Sequence, residues 1–343
     1  MADKPDAADH YSFVQKVWIV GGIFALIAVL LLLFRATFSV FLLVLGGVLI
    51  ASFFRGISSF IKQKTNWKSG VCLAISIIGS LLIFAGIFWL IGSKALAQIG
   101  QLSQSLPAAF QDAKSYLNDG WLGKKIVQKI SEAQSNGKIS SFFATFFRTT
   151  FGYLGDIYLI LLIGIFFTVS PQIYRKGMVK LVPPRGRDRA DKITAHLGSS
   201  LQKWLAGKIF AMFVVFVLTS IGLVIMGVPM WLGLAIIAGF LNFIPNFGPL
   251  IAMIPAAAIG FSQGQTTGFL IIGLYLVVQF LESNLITPQV QQRLVEIPPA
   301  AIIISQVLVG ALTGIWGVIF ATPLVLIVMI LVQELYVKPM DQQ

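Results

Sequence analysis

The sequence predicts an all-α polytopic membrane protein, and three observations carry that prediction. Of its 343 residues 57% are hydrophobic and only 11% are charged, against about 45–50% and about 25% in an ordinary soluble domain. The mean hydropathy is +0.88. Uncharged apolar runs of roughly 20 residues, the length that crosses a hydrocarbon core, recur along the chain.

The remaining composition excludes other classes. One cysteine, Cys72, cannot form an intrachain disulfide, and His10 and His196 are too few for a histidine-rich metal site, so no metal and no cofactor is expected. The net charge of +12 is assigned to loops obeying the positive-inside rule and touching anionic lipid rather than to nucleic acid, because no basic groove interleaved with aromatics occurs.

The first apolar run is Val17–Phe34. Its preceding tail carries Asp3, Asp6 and Asp9, and Phe34-Arg35-Ala36 is not a cleavage site, so it is read as a membrane helix and not a signal peptide. A second run, 36–54, follows with almost no linker and predicts a tight helical hairpin with Arg35 at its tip. Arg55, Lys62, Lys64 and Lys68 make the next connection basic and hence cytoplasmic. A third run, 70–92, leads outward and completes an N-terminal unit of tail plus three helices (1–92).

From 93 to 148 Leu96, Ile99, Leu102, Leu106, Phe110, Ala113 and Leu117 recur every three or four residues, with a second stripe at Leu122, Ile126 and Ile130. That spacing predicts an extracytoplasmic amphipathic insert, read as a structural cap or oligomer contact ahead of a substrate-binding module. A fourth span, 149–170, holds Asp156 near its outer end, where a proton relay and an ion pair with Arg148 are both open readings. The connection 171–203 has eight basic residues against two acids and is cytoplasmic, broken in its middle by Pro183 and Pro184.

No charged residue occurs from Ile209 to Leu281. Within that stretch a fifth span, 205–228, is followed by two runs, 231–241 and 244–261, split by Asn242-Phe-Ile-Pro-Asn-Phe-Gly-Pro249. Eleven residues rise about 16 Å, half of a ~30 Å core, so this pair (231–261) is read as a re-entrant hairpin. A further span runs from Phe269 to about Ser283. The runs 300–312 and 315–337 form a second interrupted pair (300–337) around Thr313-Gly-Ile-Trp-Gly317. About eight membrane segments result. Two interrupted hairpins entering from opposite faces point to a binding site near the midplane.

No phosphate-binding loop, nucleophile elbow or His-Glu-x-x-His occurs, and neither histidine lies in a span, so the chain is not read as an enzyme and has no catalytic residue to assign. The candidate site is built from ionisable and amide groups at membrane depth. Glu282 closes the uncharged run, and Gln279, Glu282 and Ser283 share a helix face. A carboxylate there protonates, pairs or binds a cation, and is preferred as a site residue over an interfacial helix end. Asn242 and Asn246 bracket Pro245, where amides and released carbonyls either ligate a solute or cation or simply build the turn. Gly310 and Gly314 have the spacing of close helix packing. Lys208 is read as snorkelling to the cytoplasmic interface.

At these segments the chain resembles the autoinducer-2 exporter family, also called PerM-type permeases. The resemblance is carried by Phe243-Ile-Pro-Asn-Phe-Gly-Pro-Leu-Ile251 with Pro255, by Glu282-Ser-Asn-Leu-Ile-Thr-Pro288 with Pro298, and by Gly310, Gly314, Gly317 and Ala321-Thr-Pro323. It is sharp from about Gly207 onward, and makes 149–343 a transport core. It implies a secondary exporter of the quorum-sensing furanone autoinducer-2, or a sodium(lithium)/proton antiporter, in some members homo-oligomeric. One departure is Lys208, where relatives often carry glutamine, which implies a more acidic solute if that position touches it. The expectation is an inner-membrane permease with both termini cytoplasmic, moving a small polar solute, a proton or a monovalent cation by alternating access. Its site comprises Asn242, Pro245, Asn246, Gly248, Pro249, Glu282, Asn284, Thr287 and Pro288, with Gly314 at the opposing tip. A passive channel and a scaffold built on the 93–148 insert are the alternatives from other classes.

Overall fold

A computed structural model describes residues 13–117, 154–286, 288 and 298–338. Among these residues all regular structure is helical. The helices are α1 (Phe13–Thr65), α2 (Ser69–Leu117), α3 (Leu154–Val169), α4 (Pro171–Lys180), α5 (Arg187–Ile225), α6 (Trp231–Leu241), α7 (Phe247–Gln263), α8 (Gln265–Leu281), α9 (Pro299–Thr313) and α10 (Ile315–Val332). A 3-10 turn (Pro184–Gly186) precedes α5, and π-helical turns continue α8 over Glu282–Ile286 and α10 over Gln333–Val337. Among the described residues five helices are long and apolar enough to cross a membrane, or six if the bent α3–α4 pair counts as one. α6, α7 and α9 are shorter apolar helices.

The expected hairpin about Arg35 is replaced by one continuous helix. α1 has 53 residues, about 80 Å at 1.5 Å per residue. Its physical reason is local: neither Pro nor Gly stands between Phe34 and Phe38, and Arg and Ala are good helix formers. Its first half, from Val17 to Phe34, is exposed, while Leu42, Leu45 and Leu49 are buried. α2 likewise joins the third span and the first amphipathic stripe in one helix of 49 residues. Leu102, Leu106 and Phe110 of that stripe are buried, whereas Leu96 is exposed. The second stripe (Leu122, Ile126, Ile130) and Arg148 lie outside the described residues.

The basic connection is broken at Pro183 and Pro184, as expected: α4 ends at Lys180 and α5 starts only at Arg187, after the 3-10 turn. Pro171 opens α4, where the missing N–H is tolerated, and α4 bends 87° from α3. The Arg55 guanidinium donates through Nε and Nη2 to the Thr168 carbonyl at 3.0 and 2.8 Å, tying α1 to the end of α3. The side chain of Arg175 makes a fork-on-fork pair with Asp191 at 2.8 and 2.7 Å, holding α4 against α5.

Two apolar cores result. One gathers Leu102 and Leu106 of α2, Val215 and Leu223 of α5, Ala252 and Ala256 of α7, and Ile271 and Tyr275 of α8. The other gathers Leu42 and Leu49 of α1, Leu201 and Trp204 of α5, and Phe320, Leu326 and Ile330 of α10. α5 threads both. The stretch of α5 between its two core contacts holds Gly207, Lys208 and Ala211, and this is where the apolar packing gives way to a polar cavity.

Candidate functional site

The cavity has a volume of ≈ 240 Å³ and lies between α5, the α6–α7 break, the end of α8, and the α9–α10 pair. α5 contributes Trp204, Gly207, Lys208 and Ala211; the α6–α7 break contributes Asn242, Pro245 and Asn246. The end of α8 contributes Gln279, Glu282 and Ser283, and α9 and α10 contribute Pro299, Ile302 and Thr322. Its floor is buried: Asn242 is 1% exposed, Thr322 4%, Glu282 6% and Lys208 9%. Asn246, Ser283 and Pro299 are exposed and form the mouth.

The break itself is sterically enforced. α6 ends at Leu241 and α7 starts at Phe247, with Asn246 at φ +66 and ψ −52, the centre of a γ-turn of the rare, strained kind closed by a hydrogen bond from the Phe247 N–H to the Pro245 carbonyl at 2.8 Å. The two helices meet so closely that a Cβ on Gly248 would lie 1.8 Å from the Leu241 carbonyl oxygen. Trp204 packs edge-on against Phe243, ring centroids 5.9 Å apart, and anchors the break to α5. The Gln306 side chain of α9, 1% exposed, donates from Nε2 to the Pro245 carbonyl at 3.1 Å. The Pro245 carbonyl in the break therefore accepts twice, from the Phe247 N–H at 2.8 Å and from the second interrupted pair.

Glu282 sits where α8 passes into its π turn, a distortion frequent at functional sites. Lys208 Nζ lies 3.8 Å from Glu282 Oε1. Gln279 donates from Nε2 to Glu282 Oε2 at 3.3 Å and to Ser283 Oγ at 3.0 Å, and Ser283 Oγ donates to Glu282 Oε2 at 3.4 Å. The shared face expected for Gln279, Glu282 and Ser283 is therefore present. Lys208 does not snorkel: it is buried and faces Glu282. Its position on the inward side of α5, fixed by the neighbouring Trp204 and Leu205 in the core, overrides its proximity to the basic connection.

Of the sequence-derived site residues, the structure brings Asn242, Pro245, Asn246 and Glu282 to the cavity. Gly248 does not line the cavity and acts through the close contact just described. Pro249 does not line the cavity, and Asn284 turns back to donate from Nδ2 to the Phe280 carbonyl at 2.9 Å. Pro288 is exposed, and Thr287 lies outside the described residues. Gly314 is not at the cavity either. It ends α9 with φ +68, a glycine conformation, about 18 Å along the helix from Ile302. Near that second break Trp316 donates from Nε1 to Asp156 Oδ2 at 2.7 Å, so Trp316 is a partner of Asp156.

Trp204, Thr322 and Gln306 are not among the residues assigned to the site from the sequence. The signal available for Gln306 was an amide in the middle of an apolar helix, and for Thr322 a hydroxyl beside the intrahelical Pro323. For Lys208 the signal is sharper: it immediately precedes the uncharged run Ile209–Leu281 and Glu282 immediately follows it. The two charges that bound the run find each other.

Broken and distorted helices that converge on a buried, charged cavity in a multi-pass apolar bundle define a membrane transporter as the class of protein. The chain belongs to the AI-2E family of transporters, whose family model matches residues 23–337. Among its relatives is YrrI of Bacillus subtilis (strain 168), provisionally named a transport protein, 25% identical over 298 residues that cover 80% of this chain and 82% of YrrI. PerM of Escherichia coli (strain K12), provisionally named a permease, is 31% identical over 171 residues, 49% of this chain and 48% of PerM. YueF of Bacillus subtilis, also provisionally named a transport protein, is 31% identical over 150 residues, 44% of this chain and 41% of YueF.

Proposed function

We propose that the chain is a secondary transporter of the bacterial inner membrane that exports a small polar solute such as autoinducer-2 through this cavity by ion-coupled alternating access. The observation that carries the reading is the Lys208–Glu282 pair, two opposite charges 3.8 Å apart on the floor of a polar cavity. A carboxylate at membrane depth stays ionised only while it is paired. Protonating Glu282 removes the attraction that holds α5 to the end of α8, and so couples a proton to the relative position of two helices. The interrupted pairs α6–α7 and α9–α10, read as hairpins entering from opposite faces, supply elements whose short helices can move against the remaining bundle.

Uptake of labelled autoinducer-2 into inside-out vesicles tests the reading. Saturable uptake in the wild type, lost with Glu282→Gln and lost with a protonophore, supports proton-coupled export. Uptake unaffected by Glu282→Gln sinks the proposed coupling site. Non-saturable flux indifferent to the protonophore would instead identify a passive channel.

A further inference from the structure

The hydrogen-bonding groups of the cavity are unevenly served. The Glu282 carboxylate is supplied with donors by the protein: Gln279 and Ser283 at Oε2, and the Lys208 ammonium beside Oε1. The donors opposite it are not. The separation of 3.8 Å is an ionic contact too long for a hydrogen bond, and among the described residues no hydrogen bond engages the three N–H groups of Lys208. The Nδ2 group of Asn242 and the hydroxyl of Thr322 are likewise buried without a hydrogen-bond partner among the described residues. All three residues line the same cavity. A buried donor left unmet is costly, and a cluster of them calls for an acceptor.

We infer that the cavity takes its solute by an oxyanion, with Lys208, Asn242 and Thr322 as the donors. Lys208 supplies the charge, and Asn242 and Thr322 supply neutral hydrogen bonds. A metal cation is disfavoured at the same carboxylate, since the Lys208 ammonium already occupies the place a sodium ion would take beside Oε1. Glu282 and the solute then compete for one ammonium: the anion draws Lys208 away, and a proton on Glu282 releases it. The cavity volume of ≈ 240 Å³ lies below the ~300–1,000 Å³ of drug-sized pockets, so the solute is an acid of a few carbon atoms. The inference rests on the transport reading for its physiological meaning, but binding tests it separately.

The test is calorimetric titration of the purified full-length protein in nanodiscs with potassium glycerate, glycerol 3-phosphate, glycerol and sodium chloride, against potassium chloride as the blank. Glycerate or glycerol 3-phosphate should bind saturably and at least ten-fold more tightly than glycerol, and the tighter of the two assigns the head group as carboxylate or phosphate. Lys208→Met combined with Glu282→Gln removes both charges without stranding either, and should bring the anion down to the level of glycerol. Asn242→Ala, which leaves the charges in place, should weaken it several-fold, while Lys208→Arg should keep it. Equal binding of glycerol and both anions overturns the proposal, as does absence of anion binding, anion binding unchanged in the double variant, or saturable sodium binding lost with Glu282→Gln. Anion binding without vesicle uptake of either that anion or autoinducer-2 would defeat the transport reading and leave this inference standing; uptake of autoinducer-2 without anion binding would do the reverse.

Discussion

The two interrupted helix pairs look alike in sequence and do different things in space. α6 and α7 part at Asn242–Asn246, and three residues of that break line the cavity. α9 and α10 part at Gly314, but the cavity is met by the first turn of α9 through Pro299 and Ile302, and by Thr322 two turns into α10. In the first pair the interruption itself is the wall of the site. In the second the interruption lies away from it, beside Asp156 and Trp316, and the pair reaches the site by its flanks. A helix break in a membrane protein therefore marks a site only when buried polar groups gather at it, as Asn242 and the Gln306-bound Pro245 carbonyl do here.

Adding one methyl group at the first break gives the largest expected effect. In Gly248→Ala the new Cβ meets the Leu241 carbonyl oxygen at 1.8 Å. Both atoms ride on backbone, so no rotamer change relieves the clash, and α7 must shift from α6. A loss of about 3 kcal/mol, the upper end of ordinary overpacking, is expected in unfolding of the detergent-solubilised protein. Stability equal to the wild type would show that the break is pliable and not the fixed wall described.

The charges across from that break come next. Lys208→Met leaves Glu282 buried without its ammonium and should cost about 2–3 kcal/mol, below the ~3–5 kcal/mol of a fully desolvated pair because this pair borders a polar cavity. Lys208→Met with Glu282→Gln should recover most of that loss, since a neutral pair has no charge to strand. If the double variant is as unstable as the single one, Lys208 acts through packing of its stem and not through its charge.

These groups also show what could and could not be read in the chain. Both breaks were legible because turn chemistry leaves a local mark: Asn-Phe-Ile-Pro-Asn in one case, Thr-Gly in the other. Glu282 was legible because a carboxylate at the edge of so long an uncharged run is costly. The orientation of Lys208 was not, because its place beside a basic connection and its place on the inner face of α5 suggest opposite environments, and only packing decides between them. The continuity of α1 was missed for a related reason. Two apolar runs of membrane length suggested two crossings, but nothing between them breaks a helix. Run length reports what lipid would accept, while local backbone chemistry decides where the chain turns.

The second break can be perturbed in the same manner as the first. Gly314→Ala places a side chain at φ +68 and ψ −139, a region that only glycine occupies readily, for a cost of about 1–3 kcal/mol. No neighbouring atom lies within 4 Å of the added methyl group, so the cost is backbone strain and not a clash. Stability should fall less than in Gly248→Ala, and solute uptake per folded molecule should match the wild type. Uptake abolished in a folded Gly314→Ala protein would mean that the second break moves during transport, and would erase the distinction between the pairs.

The smallest expected effect belongs to the contact that joins the two pairs. Gln306→Leu keeps the approximate volume of the side chain but withdraws the donor from the Pro245 carbonyl. It also removes the Oε1 atom, which is buried without a partner among the described residues. Losing a hydrogen bond costs about 1 kcal/mol, and relieving a buried unmet acceptor offsets part of that, so a fall in stability of no more than about 1 kcal/mol is expected. The transport readout should be more sensitive than the stability. With the bond gone, α9 no longer holds the first break, and saturating uptake should change while the affinity of the solute, set by groups on α5, α6 and α10, stays within a few-fold of wild type. A change in affinity with no change in maximal uptake would instead place Gln306 in the binding site and not between the two pairs.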